Sequence, residues 1–84
     1  MKSITITVKE KEGLHARPAG ILCKVAKEHQ SKITLTKGEK TVDMTRLFGI
    51  MGLAVKCGDE ITIQCDGADE DIAFAALQEV LKEL

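Results

Sequence analysis

The sequence predicts an α+β fold, a two-layer sandwich in which one sheet carries helices on one of its faces. Four short segments alternate apolar and polar residues, as strands that are covered on one side do. Two longer segments repeat apolar residues at the spacing of a helix, and a short apolar segment lies between them. The predicted order is β-α-β-β-α-β-α.

The first half of the chain contains three predicted strands and one helix. The first strand covers residues 3–8, and the first helix covers residues 16–27. The apolar stripe of this helix consists of Ala19, Leu22, Cys23 and Ala26, and it is broadened by Ile21 and Val25. Residues 32–36 and 40–43 form two strands of a hairpin, joined by a turn at residues 37–39. His29, which precedes the hairpin, is interpreted as a solvated loop residue without a role.

The second half contains a short helix, a strand and a long helix. The apolar segment 44–54 is interrupted by Gly49 and Gly52, so only one or two helical turns are predicted, over residues 47–53. The fourth strand covers residues 60–66. The last helix covers residues 70–84, and Asp69 is expected to cap its start. Its apolar stripe consists of Ala73, Ala76, Leu77, Val80 and Leu84, supported by Leu81.

Length and charge restrict the possible functions. A domain of 84 residues has little room for an enclosed active site, so any site is expected at the surface. The 12 basic and 13 acidic residues give a formal charge of −1, without the basic excess that a nucleic acid or an anionic membrane attracts. Two Phe and no Trp or Tyr leave few rings on which bases could stack. No nucleic-acid partner is expected.

The cysteines and the N-terminus indicate the compartment. Cys23, Cys57 and Cys65 lack the spacing of a metal site and are interpreted as reduced thiols, with Cys23 and Cys65 on core faces. The N-terminus has no apolar signal segment, and no apolar run is long enough to span a bilayer. We therefore expect a cytoplasmic protein without membrane insertion.

The segment from Gly13 to Gly20 places a histidine and an arginine where a loop gives way to a helix. Pro18 suits the first helical turn, and the free N–H groups of that turn favour an anion. Arg17 adds a permanent cation that can bind two phosphate oxygens, and His15 has a ring nitrogen that could accept a phosphoryl group. On these residues alone, a capping or surface histidine is the alternative.

Gly13 to Ala19, Gly-Leu-His-Ala-Arg-Pro-Ala, resembles the active-site signature of the HPr family, the histidine-containing phosphocarriers of the bacterial phosphoenolpyruvate-dependent sugar phosphotransferase system. The similarity extends along nearly all 84 residues. It implies a single domain over residues 1–84, with a four-stranded antiparallel sheet and its helices on one face as an open-faced sandwich. It implies no metal or cofactor, and we expect a monomer.

The resemblance also implies roles for individual residues. His15 would take a phosphoryl group from Enzyme I and pass it to IIA domains of sugar permeases, with Arg17 pairing with that group and Pro18 fixing the turn. The segment 47–53 would contact both partners. Its apolar residues cannot all be buried in so small a domain. We therefore assign Leu47, Phe48 and Met51, with Pro18, to partner binding, and core packing is the alternative for Ile50 and Leu53.

Two residues depart from the family pattern. Glu12 stands where HPr proteins usually carry a small polar residue, and its carboxylate would repel a phosphate bound at His15. Arg46 occupies the position of the regulatory serine of many Gram-positive HPr proteins, with the hydroxyl of Thr45 next to it. These departures leave an alternative open, an HPr-like regulatory paralogue that acts mainly by protein docking.

Overall fold

A computed structural model describes residues 1–82 of the chain. Its elements are β1 (Lys2–Thr7), α1 (Ala16–Lys27), β2 (Lys32–Lys37), β3 (Lys40–Asp43), α2 (Leu47–Gly52), β4 (Glu60–Asp66) and α3 (Glu70–Leu81). The predicted order is confirmed, and most bounds agree within one residue. Helix α3 ends before Lys82, whereas the prediction extended it to residue 84. Leu84 and its predicted place in the apolar stripe lie outside the described residues.

The four strands form one antiparallel sheet in the order β1-β4-β2-β3. Strand β4 lies at the centre, where Ile63 is opposite Ile4 of β1 and Leu35 of β2. The residues of the central strands that face the helices are buried, namely Ile33, Leu35, Ile61, Ile63 and Cys65. The intervening Thr and Gln residues are only half-buried and occupy the other face. This alternation confirms the open-faced sandwich.

The core lies between the sheet and the three helices. The predicted stripe of α1, Ala19, Leu22, Cys23 and Ala26, is buried, as are Ala73, Leu77 and Leu81 of α3. Ala76 and Val80 are half-buried. Ile50 and Leu53 are buried, as their core alternative predicted. Met44 is fully buried although it lies in a loop, and its N–H donates to the carbonyl of Ile33 at 3.0 Å.

Two predicted side-chain roles are wrong. Asp69 precedes α3, but its carboxylate does not cap that helix within the described chain. It accepts the N–H groups of Gln30 and Ser31, at 2.9 and 2.8 Å, and the hydroxyl of Ser31. His29 is not simply solvated, since its Nδ1 donates to the Val25 carbonyl at 2.8 Å. Both side chains form hydrogen bonds with backbone groups that the folded chain places within reach. These partners, rather than the residue types alone, determine what each side chain does.

The remaining predictions concern thiols and membranes. Cys23 and Cys65 are buried free thiols, and Cys57 is an exposed one. The Cys23 thiol donates to the Thr45 carbonyl and so links α1 to the loop before α2. In the part of the chain that the structure covers, no helix has the length and apolar character needed to cross a bilayer.

Candidate functional site

The backbone before α1 is fixed by a glycine and by a neighbouring loop. Gly13 has a φ of +68°, and a Cβ there would lie 2.3 Å from the Val55 carbonyl oxygen. The N–H of Leu14 donates to the same oxygen at 3.0 Å, and the Leu14 side chain is buried. Only glycine fits this conformation and this approach. The chain therefore enters the helix from a fixed position.

His15 is the residue that begins the helix, and its ring faces outward. Its extended backbone places its carbonyl to accept the Ala19 N–H at 3.0 Å, which closes the first turn. The ring forms no capping hydrogen bond with any described residue, and its side chain is 36% exposed. The capping alternative is thus not what this structure has. Because Pro18 has no N–H, the free donors of the first turn are those of Ala16 and Arg17.

The His15 ring lies in a surface cleft of about 320 Å³, and Arg17 and Pro18, the other two residues predicted for the site, also line this cleft. The lining consists of Glu10, Glu12, His15, Arg17, Pro18, Ile21 and Val80. One Glu12 carboxylate oxygen is 3.7 Å from Nε2 of His15. The cleft therefore combines one guanidinium cation with two carboxylates around a partly exposed imidazole. An anion can be bound there, but against the repulsion of the carboxylates.

The cleft contains groups that can bind an anion. Across residues 1–82, His, Cys, Asp and Glu side chains do not gather in the groups of three or more that a metal ion requires. The chemistry available to these groups is nucleophilic attack by the ring and binding of a negatively charged group by Arg17 and the helix start.

Three of the predicted partner-binding residues, Leu47, Phe48 and Met51, lie on α2, which packs beside α1. The fourth, Pro18, lies on α1 and lines the cleft. Phe48 is 87% exposed and Met51 is 40% exposed. Leu47 is half-buried and shares a separate depression with Gly20 and Lys24 of α1. The structure therefore brings His15, Arg17 and Pro18 together in one cleft, while Leu47, Phe48 and Met51 belong to a neighbouring surface.

Arg46 and Thr45 precede α2. Arg46 is exposed and occupies the residue before the first helical turn. The Thr45 hydroxyl donates to the Asp43 carboxylate at 2.7 Å, and the Thr45 N–H donates to the same oxygen at 2.9 Å. These two bonds hold the pKa of Asp43 below its ordinary value. The hydroxyl next to Arg46 is therefore engaged with a charged carboxylate.

Three lining residues were not predicted from the sequence. Ile21 was assigned to the core stripe, but it is 39% exposed, and its position three residues after Pro18 places it on the cleft face of α1. Glu10 lies in a charged loop without a distinguishing pattern. Val80 comes from α3, whose packing against α1 only the tertiary structure reveals.

Comparisons with known proteins find relatives over nearly the whole chain. A family model described as the PTS HPr component phosphorylation site matches residues 2–83. The phosphocarrier protein HPr of Mycoplasma capricolum subsp. capricolum is 40% identical over 81 residues, which cover 96% of this chain and 91% of the relative. The solved structure of a mycoplasma histidine-containing phosphocarrier protein has a TM-score of 0.94 at 38% identity, covering 98% of this chain and 93% of that one.

A regulatory protein of the same fold is also similar. Crh of Bacillus subtilis, described as a catabolite repression protein, is 35% identical with a TM-score of 0.76, and the match covers 99% of this chain and 95% of that one. That protein was solved as a domain-swapped dimer. The chain is therefore similar both to phosphocarrier proteins and to a catabolite repression protein.

Proposed function

Because this chain belongs to the HPr family of phosphocarrier proteins, we propose that His15 accepts a phosphoryl group from phospho-Enzyme I and passes it to IIA domains of sugar permeases. The observation that carries the proposal is the partly exposed ring of His15 at the start of α1, beside Arg17 in one cleft. We place this relay in the cytoplasm and expect a monomer to perform it.

The reaction is a displacement at phosphorus. A ring nitrogen of His15 donates its lone pair to form the N–P bond, and the bond between phosphorus and the donor breaks with its electron pair remaining on the donor. The donor and acceptor must be roughly in line, so the acceptor has to be reachable from outside the protein. The exposure of the ring meets this need. In a second displacement the next acceptor donates a lone pair to phosphorus, and the N–P bond breaks with its electron pair returning to the His15 ring nitrogen.

Arg17 and the helix start supply the positive charge for this step. The guanidinium can bind two equatorial oxygens of the phosphoryl group, and the N–H groups of Ala16 and Arg17 point toward the same end of the helix. Positive groups that are already in place cost no reorganisation when the charge arrives. We therefore assign charge stabilisation to Arg17 and the turn geometry to Pro18.

Glu12 opposes that charge. Its carboxylate, 3.7 Å from Nε2 of His15, repels the phosphoryl oxygens and favours departure of the group. At a solvent-exposed site the effect is small, about 0.2–1 kcal/mol. Replacing Glu12 with Gln should shift the phosphoryl equilibrium with Enzyme I toward this protein by up to about fivefold. An equilibrium shifted toward Enzyme I would contradict this role.

We assign docking to the surface formed by Leu47, Phe48 and Met51 on α2, with Pro18 contributing from the cleft on α1. Support comes from the exposure of Phe48 and Met51 on a helix that packs beside α1. Clustered exposed apolar side chains are typical of protein interaction sites. A partner bound to this surface could reach the cleft, and the His15 ring would stay accessible for the transfer.

The test is to incubate the protein with phosphoenolpyruvate and Enzyme I and to measure its intact mass. One added phosphoryl group is expected, and it should be labile in acid because it is held by an N–P bond. The variant His15→Ala should remain folded and unlabelled. The matched control is His29→Ala, because Nδ1 of His29 is bonded to the Val25 carbonyl and lies outside the cleft. Equal labelling of the wild type and His15→Ala would refute the proposal.

The alternative is a regulatory paralogue that docks on partners and carries phosphate rarely. Its support is the similarity to Crh and the two departures at Glu12 and Arg46. The relay is favoured because His15, Arg17 and Pro18 are all present in one cleft. The same mass measurement separates the two functions, since a docking paralogue would bind Enzyme I without being labelled.

Regulation by the ATP-dependent HPr kinase is not expected. Arg46 provides no hydroxyl, and a phosphate on Thr45 would face the Asp43 carboxylate that its hydroxyl now contacts. Incubation with such a kinase and ATP should give no acid-stable phosphate, and Arg46→Ser should make the protein a substrate. Stoichiometric phosphothreonine at Thr45 would contradict this expectation.

A further inference from the structure

We propose that Lys37 is a positioning residue for His15, because its ammonium group anchors the loop of residues 53–59, and this loop holds the backbone that presents the histidine. The anchoring concerns the folded chain alone, whereas the expected effect on phosphoryl transfer also rests on the proposed function.

The ammonium group of Lys37 has three donors, and the structure provides three acceptors. Nζ is 3.1 Å from the Leu53 carbonyl oxygen, 2.9 Å from the Ala54 carbonyl oxygen and 2.9 Å from the Asp59 carboxylate. Two of these acceptors begin the 53–59 loop and the third ends it. The sequence prediction placed Lys37 in a turn, whereas it is the last residue of β2. One side chain thus joins the end of β2 to both ends of the loop.

The loop contains a residue that needs such an anchor. Ala54 has a φ of +52°, the left-handed region that costs an L residue roughly 1–2 kcal/mol. Residues in such conformations persist where the surrounding contacts determine them, and they are frequent at functional sites. The bond from Lys37 to the carbonyl of Ala54 is a contact of this kind. Without it, the strained residue can relax and move the loop.

The next residue connects the loop to the site. The Val55 carbonyl oxygen accepts the Leu14 N–H at 3.0 Å, and the same oxygen lies against Gly13. Leu14 immediately precedes His15. A shift of Val55 therefore moves or frees the backbone from which the His15 ring projects.

The far end of the loop is held as firmly. The Asp59 carboxylate also accepts the Lys56 N–H at 2.8 Å, and the Asp59 carbonyl accepts the Val8 N–H at 2.9 Å. The Lys56 N–H and the Lys37 ammonium hold the pKa of Asp59 below its ordinary value. The carboxylate is therefore charged at neutral pH and pairs with Lys37.

Hydrogen exchange of the Leu14 amide measures the anchoring without any phosphoryl transfer. In Lys37→Met, which keeps the length of the side chain, this amide should exchange about tenfold faster, as expected when hydrogen bonds to a charged group are lost. Lys37→Arg should restore most of the protection. The matched control is Lys40→Met, which removes a charge from an exposed position opposite Lys37 on the same hairpin. It should leave the amide unchanged.

Phosphoryl transfer from Enzyme I should be slowed roughly threefold to tenfold in Lys37→Met and not in Lys40→Met, since small displacements of a reacting group are costly. The inference is overturned if the Leu14 amide is unaffected, or if all core amides exchange faster by the same factor, which would make Lys37 a general stabiliser. If the wild type accepts no phosphoryl group, the proposed function fails while the exchange result still decides the anchoring.

Two further variants cover the case in which Lys37→Met does not fold. Asp59→Asn removes the paired charge while keeping the side-chain shape, and it should also speed exchange at Leu14. Ala54→Gly removes the backbone strain, so the effect of Lys37→Met on Leu14 exchange should be smaller in that background. Independent effects of the two substitutions would separate the strain from the anchor and contradict the inference.

Discussion

Replacing Gly13 with Ala should destabilise the protein and displace His15. The new residue would have a φ of +68°, at a cost of roughly 1–2 kcal/mol. Its Cβ would also lie 2.3 Å from the Val55 carbonyl oxygen and 2.7 Å from the Lys56 Cα, both backbone atoms that a rotamer change cannot relieve. Such overpacking costs about 1–3 kcal/mol more.

Gly38 provides a control that separates the two contributions. It has nearly the same φ, +62°, and a Cβ there would have open space for 4 Å within the described structure. Gly38→Ala therefore carries the conformational cost alone, and both substitutions restrict the unfolded chain equally. The two variants should differ by the contact cost of about 1–3 kcal/mol, or roughly 4–24 °C in Tm for a domain of this size.

Thermal unfolding of the two variants, followed by circular dichroism, measures this difference. The rate of phosphoryl transfer from Enzyme I, measured well below either Tm, should fall in Gly13→Ala and remain near the wild-type value in Gly38→Ala. If Gly13→Ala is no less stable than Gly38→Ala, the 53–59 loop yields to the new methyl group. In that case the loop does not fix the position of His15.

Two other predictions concern α3 and the docking surface. Ser31→Ala should lower Tm by several degrees at pH 7, where Ser3→Ala should not, because hydrogen bonds from Ser31 and adjacent amides hold the pKa of Asp69 below its ordinary value. That stabilisation is present above the unfolded-state pKa of about 3.9 and is lost as the pH falls through the lower folded-state pKa. The difference in Tm between the wild type and Ser31→Ala should therefore shrink at acidic pH. A difference that persisted unchanged at pH 2 would contradict this role of Asp69. Phe48→Ala should weaken Enzyme I binding at least about fivefold while changing the free energy of unfolding by less than about 0.5 kcal/mol. The control is Ile72→Ala, which also truncates an apolar side chain, at a residue that is 68% exposed on α3. It should leave the affinity for Enzyme I unchanged. Titration calorimetry measures both affinities, and equal losses would show that exposed apolar area rather than the α2 surface is responsible.

The parts of the fold that could be predicted are those with a regular period. The alternation of Ile61, Ile63 and Cys65 and the stripe through Leu22 and Ala26 each identify an element and its buried face within one stretch of chain. The residues of the signature were found together for the same reason, since His15, Arg17 and Pro18 are nearly contiguous. Features formed by residues close together in the chain can therefore be predicted from the sequence pattern.

The parts that could not be predicted depend on neighbours distant in sequence. Asp69 has the composition of a helix cap, but Ser31, 38 residues earlier, offers its carboxylate a hydroxyl and an N–H. Lys37 has the composition of a turn residue until Leu53 and Ala54 come within reach. The sequence around Asp69 and Lys37 does not reveal these distant hydrogen-bond partners. Residue propensity therefore predicts the role that each residue type most often has, and not the role that it has in this fold.

The proposed relay makes two demands on the site that conflict in a small protein. A phosphoryl acceptor must be exposed to its partners, whereas an aligned displacement needs it held in place. Side-chain contacts that fixed the His15 ring would also cover it, whereas Glu12, 3.7 Å away and 73% exposed, leaves the ring partly accessible. The rigidity must therefore come from the backbone beneath, where Leu14 and Val8 are buried and the 53–59 loop binds both by hydrogen bonds. It follows that substitutions in this loop should alter transfer without touching the cleft, while changes within the cleft should alter the charge that the phosphoryl group meets.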